Sequence, residues 1–442
     1  MHIRIRAYIG VVAIALFLLN ACSGTRSTLP GSTNASNGGG VANLNDAAEA
    51  WAMHDSGYLT EFDVPGATTT NAGACAPFCG TIVNDLNDEG VIVGAYTDAM
   101  VVPHAFIRRP GGTFSSFDAP GAGLGAGLNQ GTVATAINDQ GVITGQLQDS
   151  RYVFHGFVRS RGGSFTEFDV AGAGTGPGQG TYPDCINIEG AIVGNYIDAS
   201  SSYDGFVRSP SGAIATFDPS GSVMTGIVGT GCINREGAIA GWYFDGAAWH
   251  GFERSPSGII TSLNPPASAG FTISSSINDF GVVSGYYVDS TGVYHGFRHT
   301  PDGKYFPYDA PNAALVPGQG TVAGPINLLG TIAGEAYNAS GVESAFSGTI
   351  FGTYATFNAP GAGAAGSIPS RVNLRGTVAG TWSDPTSLNH GFVWQPPDEH
   401  EFTRPAARME AVVGPAIRAN LRHVLRYPFG TVKVKMPSPL AR

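Results

Sequence analysis

Seven copies of one motif between residues 58 and 394, spaced 44 to 51 residues apart with four strand-like segments in each, predict an all-β fold. The form they predict is a seven-bladed β-propeller of four-stranded antiparallel blades, because meanders that cannot bury both faces alone do so when stacked radially. In copy after copy a strand ending in Phe-Asp leads through a Gly/Pro loop to an Asn, then to Gly-x-(Ile/Val/Leu)-x-Gly and a segment like His-Gly-Phe-Val-Arg. The Asn recurs as Asn87, Asn138, Asn187, Asn234, Asn278, Asn327 and Asn373.

Taking the second copy as the example, the expected strands are Thr132 to Ile137, Val142 to Gln146, His155 to Arg159 and Ser164 to Asp169. Tight turns separate the first pair at Asn138-Asp139-Gln140-Gly141, and Pro-x-Gly turns such as Pro256-Ser257-Gly258 separate the third from the fourth. Both turn sets fall on one edge. The opposite edge carries the long, variable loops, among them 65–81, 119–131, 171–181 and 310–321. The series opens with a lone fourth strand, 58–64, and closes with three strands of a copy. Ring closure is therefore expected by pairing 58–64 beside residues 390–394. A linear array would instead need atypical terminal copies.

The domain plan that follows is 1–22 export signal, 23–56 flexible tether rich in Ser, Thr, Asn and Gly, 57–402 propeller, and 403–442 basic tail. The first segment has a basic start, an apolar run from Tyr8 to Leu19, and Leu19-Asn20-Ala21-Cys22, which resembles a bacterial lipobox. The resemblance implies a lipid on Cys22 and an outer-membrane lipoprotein on either side of that membrane, with secretion as the alternative. About 12 apolar residues fall short of the ~20 a membrane-spanning helix needs.

Net charge is -10, with +7 in the tail, where eight Lys/Arg oppose Glu410 alone, and -17 elsewhere. An acidic body argues against nucleic acid as partner. Of the remaining cysteines, Cys75 and Cys79 share one loop and form a candidate disulfide. Cys185 and Cys232 hold equivalent positions in neighbouring copies, either as two small buried residues or as a bridge.

The His-(Gly/Ala)-Phe element at His104, His155, His250, His295 and His390 resembles the HAF family of probable extracellular repeat proteins. Asp204-Gly205-Phe206 and Ser344-Ala345-Phe346 depart from it. The resemblance implies an exported bacterial repeat protein and brings no reaction or substrate.

No metal or cofactor is expected. The histidines sit on separate copies, whereas zinc needs nitrogens within ~2.1 Å of one point, so a structural hydrogen bond in each copy is the better reading. Asp98, Asp149, Asp198, Asp245, Asp289 and Asp384 form no calcium loop and read as turn initiators. Gly361 to Gly366 mimics a dinucleotide fingerprint but leads into a strand rather than a helix. Aromatics near the variable edge, chiefly Tyr203, Trp249, Tyr294 and Trp382, are candidate binding residues, with packing between blades as the competing role. The leading expectation is a monomeric, lipid-anchored propeller that binds a protein or glycan through its variable loops. A polysaccharide lyase or hydrolase with an axial site, and a purely structural surface protein, are the alternatives.

Overall fold

The computed structural model describes residues 51–54, 57–70, 75, 78–126, 130–227, 229–349, 354–363 and 365–396. The segment 1–22, with Cys22, and the tail from 403 lie outside them. Every regular element among the described residues is a strand, and the strands form four-stranded antiparallel meanders of the β-propeller type. In the second copy they are Thr132–Ile137, Ile143–Gln148, Phe154–Arg159 and Phe165–Phe168, within two residues of expectation.

Two eight-stranded sheets each consist of two meanders joined by a single parallel contact, Phe154 beside Gly180 and Tyr294 beside Gly320. Two more sheets have four strands, and the last has five. In that last sheet Gly57–Phe62 runs beside Asn389–Gln395, with Tyr58 opposite Gln395 and Phe62 opposite Gly391. Trp51–His54, which the sequence places in a tether, pairs on its outer side from Trp51–Thr60 to His54–Gly57. An open sheet edge recruits a segment through backbone groups alone, so no apolar alternation announces it.

In most meanders the first strand is buried and the fourth is more exposed, as in Thr81–Leu86 against Phe114–Phe117. The repeat residues explain this layering. The motif phenylalanines, from Phe106 to Phe392, are 0–1% exposed. Gly145, opposite this Phe, has no room for a side chain, since a Cβ would lie 2.1 Å from Val133 O and 2.8 Å from the Phe157 ring. The closing arginine covers a Phe of the preceding copy's fourth strand, with Arg108 4.7 Å from Phe62 and Arg159 4.6 Å from Phe117. Gly-Gln-Gly-Thr at 178–181 belongs to this framework too. Gly180, at φ 125°, abuts Phe154 O, and Thr181 Oγ1 accepts the Val170 N–H at 3.0 Å.

The recurrent Asn is the main tie between sheets. Its Oδ1 closes its own hairpin by accepting the N–H four residues on, as from Ala191 to Asn187 at 2.8 Å. Its Nδ2 donates to the carbonyl of the next Asn, and this repeats from Asn87 to Asn138 (3.2 Å), Asn187 (3.0 Å), Asn234 (2.9 Å), Asn278 (3.2 Å), Asn327 (3.1 Å) and Asn373 (2.7 Å). Asn373 then donates to the Asn87 carbonyl at 3.4 Å.

Both disulfides are formed. Cys75–Cys79 closes its loop, and Cys185–Cys232 joins neighbouring sheets with Cα atoms 6.0 Å apart. Crosslinking across 47 residues removes chain entropy worth about 4 kcal/mol from the unfolded state.

Replacing Asn187 by Ala should lower the unfolding free energy by roughly 2–4 kcal/mol in urea denaturation, because the Ala191 N–H and Asn234 carbonyl lose their partners together. A loss below ~0.5 kcal/mol, within the range of ordinary surface substitutions, would contradict this role.

Candidate functional site

The long-loop edge is built on one local device per copy. After the second strand an Asp carboxylate folds the chain back, as Asp98 Oδ1 accepts the Met100 and Val102 N–H groups at 2.9 and 2.8 Å. Asp149, Asp198, Asp289 and Asp384 do the same. The turn sends its fourth residue into the left-handed region, occupied by Val101, Tyr152, Ser201 and Ser387 at φ 64–67° and by Gly292 in the Asp289 loop. The aspartates are thus turn initiators, as the sequence indicates.

The motif histidine lies between this Asp and the one that ends the fourth strand. His104 Nδ1 is 2.9 Å from Asp118 and its Nε2 is 3.6 Å from Asp98. His155 pairs with Asp169, His295 with Asp309 and His390 with Asp63 at 2.8–2.9 Å, while His250 meets Asn264 at 3.1 Å. The His390–Asp63 pair fastens the end of the N-terminal strand to the last sheet. Burial works against protonation of His155 and His390. The hydrogen bonds and charges of Asp169 and Asp63 outweigh it and raise both pKa values above the usual histidine range.

His155, Glu167 and Asp169 bring three potential ligand atoms within 4.8 Å of one another. Both acids are exposed, and the same His–Asp pair recurs in other copies, so ion pairing accounts for the group.

The structure divides the four candidate aromatics. Trp382 is only 7% exposed and stacks on His390 with ring centroids 4.2 Å apart. It is packing rather than platform, because it and the His are paired neighbours on the same face of the sheet. Tyr96, Tyr243 and Tyr287 lie against their histidines in the same way. Tyr203 is half-buried against Phe154, Tyr182 and Ile197.

Trp249 and Tyr294 are half-buried members of a continuous run. Phe244 lies 5.1 Å from Trp249, Trp249 6.0 Å from Phe271, Phe271 6.4 Å from Tyr294, and Tyr294 6.2 Å from Tyr286. Trp242 lies beneath, 4.8 Å from Trp249. The sequence names two of these rings. Phe271 escapes because it opens a first strand where other copies have Gly180 or Gly320, and only its pairing beside Trp249 shows that the rings meet.

Next to Tyr286 stands a group that sequence reasoning misses altogether. Tyr337 donates to Glu335 at 2.7 Å and also meets the Glu343 carboxyl. Both acids are buried, and burial pushes the Glu335 pKa up to about 7. The available signal was disagreement between copies, since the position held by Glu335 is Ala95, Gln146, Asn195, Trp242, Tyr286 and Thr381 elsewhere. Along the innermost strands, polar groups engage one another. Arg371 Nε is 3.6 Å from Asp85, Thr230 donates to the Ser370 carbonyl, and Ser370 donates to Val83 O at 2.7 Å.

No protein-family model matches the chain, and no curated protein matches it. The chain is similar in structure to virginiamycin B lyase from Staphylococcus aureus (TM-score 0.49, 12% identity, 76% of this chain and 98% of that one). It is also similar to the β-propeller domain of the Trilobed protease from Pyrococcus furiosus (TM-score 0.49, 12% identity, 72% and 96%). A third is the BP39L lectin from Burkholderia pseudomallei (TM-score 0.47, 11% identity, 71% and 96%). Likenesses at this level assign no activity.

A histidine whose folded-state pKa is raised contributes stability fully below its unfolded value and loses it as pH rises through the folded value. The Asp63→Asn variant should therefore be less stable than the parent by about 0.5–1 kcal/mol near pH 6, since the exposed Asp63 carboxylate leaves the pair partly screened by solvent. The gap should close toward pH 9 in parallel urea titrations. A gap independent of pH would show that Asp63 acts without the His390 charge.

Proposed function

We propose that this chain is an exported, lipid-anchored, seven-bladed β-propeller that binds a protein or glycan partner across its long-loop edge. Counting each eight-stranded sheet as two blades gives seven. Ring closure is supported by the Gly57–Phe62 strand beside Asn389–Gln395 and by the Asn373–Asn87 hydrogen bond. Lipidation at Cys22 would place the protein at the cell envelope, as a monomer. The observation that carries binding is the half-exposed aromatic run from Phe244 to Tyr294. It stands where the copies differ, so the repeat framework does not require it, and flat rings with polar handles concentrate binding energy.

A second reading, an enzyme acting on polysaccharide, is favoured by Glu335, Tyr337 and Glu343. A carboxyl poised near pH 7 suits proton transfer. Tyr337 ends the second strand and Glu343 opens the third, on either side of a loop of the long-loop edge.

Binding of the full chain to an array of glycans and envelope proteins should fall at least about tenfold in the Trp249→Ala, Tyr294→Ala variant, roughly 1.4 kcal/mol. Unchanged binding would remove the aromatic run from the account. Turnover of a polysaccharide that is lost in Glu335→Gln would favour the enzyme.

A further inference from the structure

Among Lys, Arg, Asp and Glu, the charges of the long-loop edge are almost all of one sign. Among the described Lys and Arg residues, Arg151 alone lies in a loop of this edge, and it is engaged with Asp149 at 3.0 Å. The others sit at the ends of third strands, in the hairpins and turns of the opposite edge, or at Arg371 on an inner strand. The opposite edge is mixed, with pairs such as Arg235–Glu189 and Lys304–Asp302. The long-loop edge instead carries the turn aspartates from Asp98 to Asp384 and the aspartates that follow the fourth strands, with histidines as their counter-groups.

Two of those turn carboxylates, Asp245 and Asp289, are held as anions. The N–H groups of Ala248 and Ala247 hold Asp245 down to about 2, and the Val293 N–H, against a small opposing effect of burial, holds Asp289 down to about 2. Asp245 lies between Phe244 and Trp249 in sequence, and Asp289 precedes Tyr294, so anions and rings share loops. Apolar tips stand among them, with Leu124 55%, Val223 60% and Leu315 61% exposed. A neutral sugar uses rings and hydroxyl acceptors but gains nothing from an edge almost free of Lys and Arg. Cationic stems with apolar neighbours match all three features.

We infer that the long-loop edge docks a basic polypeptide segment of a partner protein, its Lys or Arg side chains against the turn aspartates and its apolar side chains against the Phe244–Tyr294 rings. This rests on reading that edge as the binding face, and it selects protein over glycan.

The test uses the full chain, a labelled Lys-Leu-Gly repeat peptide, its Glu-Leu-Gly counterpart and cellohexaose, followed by fluorescence anisotropy for the peptides and calorimetry for the sugar. The basic peptide should bind and weaken about tenfold or more between ~50 and ~300 mM salt, as screening shortens the reach of exposed charges. Asp245→Asn with Asp289→Asn keeps the turn acceptors but removes two charges, and should weaken it at least about fivefold. Glu236→Gln with Asp302→Asn removes two charges from the opposite edge and should change it less than about twofold, which separates docking from attraction to net charge. Equal effects of the two pairs, or equal binding of the acidic peptide, would overturn the inference. Cellohexaose binding that depends on Trp249 while the basic peptide fails would overturn it and leave the binding face standing. Failure of every probe together with an unaltered array result in the aromatic variant would overturn both.

Discussion

The hydrogen-bonded series of seven asparagines is the constraint on which the rest of the structure depends. Each side chain satisfies its own hairpin through Oδ1 and the neighbouring hairpin through Nδ2, so no rung can shift without exposing a buried donor and a buried acceptor. Asn does both with one short side chain. Asp lacks the donor, Ser is too short to span the gap, and Gln must order one more torsion. Because the rungs fix the hairpins on one edge, the opposite edge is free to vary in loop length and composition.

The same division governs where polar chemistry appears. Near the hairpins, buried polar groups are consumed in framework contacts, such as the Asp85 carboxylate accepting the Leu86 and Ile137 N–H groups. On the long-loop edge, five copies place a motif histidine beside the turn aspartate, at 3.0 to 3.9 Å. What is specific to single copies is the aromatic run across two sheets and the Glu335–Tyr337–Glu343 group beside it.

Much of the fold was legible because a repeated pattern averages out local ambiguity. Phe157, Gly145 and Asn138 recur in register, and each has one physical reason to stand where it does. Trp51–His54 was hidden because edge pairing uses backbone groups that carry no side-chain signature. The Cys185–Cys232 bridge was left open because sequence equivalence gives no Cα separation. At the candidate site, Trp249 and Tyr294 were legible as aromatics at a variable edge. Trp382 was misplaced because the stacking partner beneath it, His390, becomes adjacent only through sheet register. Glu335 was invisible because a single buried acid in an otherwise apolar strand has no motif, and its meaning comes from Tyr337 and Tyr286 nearby.

The most direct test is native-state hydrogen exchange at the seven amides that the asparagine Oδ1 atoms accept, those of Val91, Val142, Ala191, Ala238, Val282, Thr331 and Thr377. If the rungs act as one cooperative series, all seven amides should exchange only through global unfolding and share one opening free energy. Fast exchange confined to Thr377 and Val91, on either side of the Asn373–Asn87 contact, would show that the series is open there and contradict the account.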